Sequence, residues 1–130
     1  MKALLKEHKI HAPKQMVYAA LTQIDLLAAW SRDSVEMDTR VGGEFSLWGG
    51  TVFGRNVELS PDKIVQTWQE DNWDEPSKVI ITLKENNGVT TMQVLHNHIP
   101  DSSFIAVNRG WELDYLRPLK EFVEEEMELV

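Results

Sequence analysis

The chain has 130 residues, 42% of them hydrophobic and 26% charged, with no cysteine and a formal net charge of −8. That is one domain's worth of chain, enough to bury a core without disulfide or metal staples, and thiol chemistry is excluded. The acidic balance argues against nucleic acid or an anionic membrane surface as partner.

Lys6, Glu7, His8 and Lys9 interrupt the apolar start that a secretory signal or a spanning helix would need. The lack of cysteine fits a reducing, cytoplasmic setting. Residues 3–12 read as a first strand. Pro13 suits a first helical turn, and Met16, Val17, Ala20 and Leu21 then recur at helical spacing. Residues 24–32 form a second short helix with Asp25 as candidate N-cap. Two helices this short need a larger element to pack against.

From Ser34 to Ile99 the texture changes to strand and turn. Apolar runs are separated by Gly42-Gly43, Gly49-Gly50, Ser60-Pro61-Asp62, a polar loop with Pro76, and Asn86-Asn87-Gly88. The pattern predicts about six antiparallel strands joined by short turns. The paired glycines supply positive φ at those turns, and neither pair sits in a phosphate-binding pattern. After Pro100, residues Trp111, Tyr115, Leu119, Phe122 and Val123 form one apolar helical stripe about three turns long. Pro118 should bend or locally unsatisfy this helix, and Gly110 is a candidate break. The last helix is the one element long enough to cover the sheet.

Trp30, Gly42-Gly43-Glu44-Phe45, Gly54, Glu58-Leu59, Pro61, Trp68, Thr91, His96, Pro100 and Gly110-Trp111 follow one another in an order that resembles the small START-like (SRPBCC) proteins. They are most similar to those related to the C-terminal domain of the activator of the 90-kilodalton heat-shock chaperone ATPase. The resemblance covers most of the chain. It implies an α+β helix-grip fold over residues 1–130: a curved antiparallel sheet wrapped around a long C-terminal helix, two short helices after the first strand, and a cavity between sheet and helix. The eukaryotic co-chaperone with such a domain also has a separate N-terminal domain that contributes much of the ATPase stimulation. The 130 residues are expected to hold only the C-terminal-type domain.

Five tryptophans in this length are many. An indole is bulky and carries one N–H that needs a partner when buried, and a sheet gripping a single helix leaves aromatic-walled space. Trp68 and Trp111 are therefore expected at the centre of the core or pocket. Met92, Val94 and His96 share one strand face, and Phe45 shares one with Leu47, as Phe53 does with Val57 and Leu59. Tyr115 and Leu119 lie on the helix stripe with Trp111. The cavity candidates are thus Trp30, Phe45, Phe53, Trp68, Met92, Val94, His96, Trp111, Tyr115 and Leu119.

His96 and His98 at i, i+2 should face the same side, as a shared metal would require. The favoured reading keeps one at the cavity mouth, hydrogen-bonded, and the other exposed, with no metal and no cofactor. No serine sits in a nucleophile elbow. Arg55 and Glu58 face opposite sides of a strand. The first functional reading is a non-enzymatic domain that binds a small hydrophobic molecule. The second is an interaction module with a chaperone partner. The third is a cavity enzyme of cyclase or aromatase type, with His96 and Tyr115 as acid and base.

Overall fold

The computed structural model describes residues 1–129. Strand β1 (Lys2–Ile10) leads into helices α1 (Lys14–Thr22) and α2 (Ile24–Ser31). Six strands follow: β2 (Glu36–Met37), β3 (Glu44–Leu47), β4 (Val52–Ser60), β5 (Lys63–Trp68), β6 (Ser77–Asn86) and β7 (Val89–Ile99). The chain ends in α3 (Phe104–Gly110), a π-helical turn (Trp111–Leu116) and α4 (Arg117–Glu128). All seven strands form one open, curved antiparallel sheet in the order β1-β7-β6-β5-β4-β3-β2, the helix-grip arrangement. The meander expected from Ser34 to Ile99 is β2 to β7, and β1 closes it by pairing with β7.

Alternation decides which face is concave. On β7, Thr90, Met92, Val94 and His96 are buried, and on β6 so are Ser77, Val79, Ile81 and Leu83. Cross-strand pairing places Val79 opposite His96, Ile81 opposite Val94 and Leu83 opposite Met92, which builds rows of apolar side chains on one face. Trp111, Tyr115, Leu116, Leu119 and Val123 come down onto that face from the C-terminal helices. Helices α1 and α2 pack against α4, and so gain the larger support that their length requires.

Several local expectations need correction. The N-cap of α2 is Gln23, with Asp25 in the first turn, so Asp25 serves the helix dipole and does not cap. Gly110 has helical φ and ψ of −61° and −39°, so the C-terminal helix is not broken there. The disturbance falls on the next six residues. The Arg117 N–H reaches back five residues to the Glu112 carbonyl, and Pro118, which has no N–H to donate, enters just as α4 begins. Gly43 also differs from its pair-mate. Gly42 has φ 84°, whereas a Cβ on Gly43 would lie 2.5 Å from the Asp38 carbonyl oxygen, so close approach is what requires glycine there. No helix among the described residues is long and apolar enough to cross a membrane.

Candidate functional site

Seven rings meet between the sheet and the C-terminal helix. Trp68, at the end of β5, stacks on Trp111 with centroids 4.6 Å apart and planes at 15°. Tyr115, one turn on from Trp111, lies 4.5 Å from it and 4.8 Å from Trp30 of α2. Phe45 and Trp48 approach Trp68 at 6.5 Å and 6.3 Å, and His96 at 5.5 Å. The wide π-helical turn sets Trp111, Tyr115 and Leu116 all into the core.

The polar atoms of this centre are paired by a directional chain. The Trp111 indole N–H donates to His96 Nδ1 at 2.9 Å. Nδ1 must therefore be the unprotonated nitrogen, and the imidazole proton sits on Nε2. Nε2 in turn faces Ser77 Oγ at 2.7 Å, and Ser77 donates to the Trp68 carbonyl at 2.8 Å. His96 is fully buried, and burial holds its pKa down to about 4. Protonation would turn Nδ1 into a second donor pointing at the indole N–H.

A second chain runs from the Trp68 indole N–H to Gln66, from Gln66 to Asn56, and from Asn56 to the Asp38 carbonyl, at 2.9, 2.9 and 2.8 Å. Among the described residues no buried side-chain nitrogen or oxygen lacks a partner, as a stable polar core demands.

One apolar-walled cleft of about 140 Å³ remains beside these rings, bordered by Trp48, Trp68, Glu70, Trp73, Trp111 and Tyr115. Trp48 holds its place with φ 51°, an unusual backbone for a bulky residue. It is fixed by the following Gly49-Gly50 turn and by the bond from Gly49 N–H to the Ser34 carbonyl at 2.9 Å. Burial raises the Glu70 carboxyl above its ordinary pKa and pushes the Tyr115 phenol well up.

Of the sequence-derived candidates, Trp30, Phe45, Trp68, His96, Trp111 and Tyr115 form the ring cluster, and Met92, Val94 and Leu119 are wholly buried around it. Phe53 is placed elsewhere. Phe45 pairs with Gly54 and Phe53 with Ser46, so Phe53 lies on the outer face, in an open groove with Arg55 and Gln69. His98 does not share a face with His96. A register shift in the β1–β7 ladder and a φ of 63° at His98 turn it outward, where it meets Glu75 at 2.6 Å. His96 itself is deep in the core, not at a mouth, and no metal-binding cluster occurs among the described residues.

The polar partners Ser77, Gln66 and Asn56, and the cleft residues Trp48, Glu70 and Trp73, were absent from the sequence reading of the site. Gln66 had a visible signal, since it lies between Ile64 and Trp68 on the same face of β5.

The model of the family described as "Activator of Hsp90 ATPase homolog 1-like protein" matches residues 11–124. The Activator of 90 kDa heat shock protein ATPase homolog of Dictyostelium discoideum is 32% identical over 123 residues, covering 92% of this chain and 32% of that protein. The Homo sapiens Activator of 90 kDa heat shock protein ATPase homolog 1 is 28% identical over 123 residues, covering 92% and 36%. The chain thus spans about a third of the length of the curated relatives it matches. The crystal structure of an HSP90 activator from Plasmodium falciparum superposes with a TM-score of 0.89 at 25% identity, over 95% of this chain and 96% of that one. The solution structure of the Aha1 dimer from Colwellia psychrerythraea gives 0.82 at 21% identity over 95% and 97%, a likeness of fold.

Proposed function

The chain belongs to the Activator of Hsp90 ATPase homolog 1-like family, and from that premise we propose that it is a single helix-grip interaction module that binds the 90 kDa heat-shock chaperone and alters its ATP turnover. The observation that carries this reading is the filled interior. The ring cluster and the fully buried Met92, Val94 and Leu119 occupy the space between sheet and helix; the apolar cleft left beside them is about 140 Å³, and the larger cleft of about 460 Å³ at Trp30 and Trp48 is open to solvent and edged by Arg32, Asp114, Arg117 and Glu121. Small-molecule pockets typically begin near about 300 Å³, so the interior supports recognition through a surface over recognition of a sizeable apolar ligand. The enzymatic reading has little to work with. Both His96 nitrogens are engaged, by Trp111 and by Ser77, which leaves no proton or lone pair for a substrate.

The test combines a binding assay on the purified chaperone with its ATPase rate as the chain is titrated. Saturable binding with a changed rate is expected. Neither binding nor any change at micromolar chain would overturn the proposal.

A further inference from the structure

The cleft beside the ring cluster has a composition that neither a core nor an apolar pocket needs. Four indoles and a phenol border it, together with the Glu70 carboxylate. Among the described residues Glu70 has no ion pair and no side-chain hydrogen bond; only its backbone carbonyl is used, by the Trp73 N–H at 3.0 Å. A half-buried carboxylate without a counter-charge is costly to keep, and burial already raises its pKa. Asp114, exposed at the same cleft, adds a second negative group. No lysine or arginine borders the cleft, and the cation–ring contact that the described residues do make, Lys2 over Phe104, lies elsewhere.

We propose that this cleft binds a small quaternary-ammonium cation, with the indoles as its walls and Glu70 as its counter-charge. Ring faces carry negative potential and attract a desolvated cation, indoles most strongly. The quaternary form fits better than a primary ammonium. An –NH₃⁺ group brings three donors that need acceptors, whereas a trimethylammonium group needs none and can rest against the aromatic and aliphatic lining. The volume of about 140 Å³ suits such a head group; an apolar cavity of about 150 Å³ holds a benzene. A neutral ligand of the same shape would strip the same water from Glu70 and return no charge.

Two further features point the same way. Tyr115, 3% exposed, borders the same cleft. Trp48 is held over the cleft in a left-handed backbone conformation, a cost that structures retain where a side chain must be aimed. The inference does not rest on chaperone binding.

The experiment is calorimetric titration of the intact chain with choline and with dimethylbutanol, its neutral carbon isostere, each repeated on Glu70→Gln and Trp48→Leu. Circular dichroism checks that both variants fold. Saturable choline binding is expected, about tenfold tighter than the isostere, with a similar loss in Glu70→Gln and a clear loss in Trp48→Leu. Equal affinity for the two ligands, choline binding unchanged in Glu70→Gln, or no saturation by choline would each overturn the assignment.

Discussion

Replacing His96 with glutamine should remove a specific acid sensitivity. The imidazole is neutral in the folded chain and protonates at about 4, against 6.5 when unfolded. Between those values the unfolded chain holds the extra proton. The neutral site's contribution is therefore complete above about pH 6.5 and is lost as pH falls toward about 4. The whole depression corresponds to about 3 kcal/mol. Between about pH 7.5 and about pH 5 the loss is about 2 kcal/mol, because at pH 5 the folded site is still almost entirely neutral. Glutamine does not titrate. Its amide oxygen can accept from Trp111 and its amide nitrogen can donate to Ser77, so it keeps the chain of bonds while deleting the proton site. Urea unfolding followed by tryptophan fluorescence at the two pH values gives both free energies. The parent should lose about 2 kcal/mol more than His96→Gln over that interval, with equal slopes in denaturant. Equal losses in the two proteins would show that the imidazole is not a buried neutral hub, and the tautomer argument would fall with it.

Three other substitutions test the architecture around that hub. Trp111→Phe deletes the donor to His96 Nδ1 and part of the stack on Trp68; thermal or urea unfolding should show a loss of about 2–3 kcal/mol. Gly54→Ala would set a Cβ 1.7 Å from the Thr67 carbonyl oxygen, so β4 and β5 must separate, and soluble expression or stability should drop by more than about 3 kcal/mol. Asn56→Ala removes the link between Gln66 and the Asp38 carbonyl; a loss of about 2–4 kcal/mol is expected, with hydrogen exchange accelerated at the Gly42–Gly43 end of the sheet.

Much of the fold was readable because its signals are local. Asn86-Asn87-Gly88 makes the β6–β7 turn, with positive φ at Asn87 and Gly88, and the stripe from Trp111 to Val123 has one helical period. The ring cluster was legible in part. Trp68 and Trp111 are the residues whose bulk and single N–H demand a central, partnered position. Phe53 was not separable from Phe45, because both faces of the thin strands carry apolar residues. Only the pairing of Phe45 with Gly54 and of Phe53 with Ser46 sorts them. His98 misled for a related reason: period-two alternation holds only while the ladder is regular, and a bulge at His98 shifts the phase.

The amino-acid order by itself determined the kinds of element, their sequence along the chain, and the family to which they belong, since these follow from spacing, turn chemistry and bulk. Tertiary structure alone decided which face of each strand turns inward, which imidazole is buried, and how little room is left beneath the helix. Those outcomes depend on contacts between residues far apart in the chain, such as Trp111 with His96 and Asn56 with Asp38, and short-range pattern carries no record of who meets whom across the core.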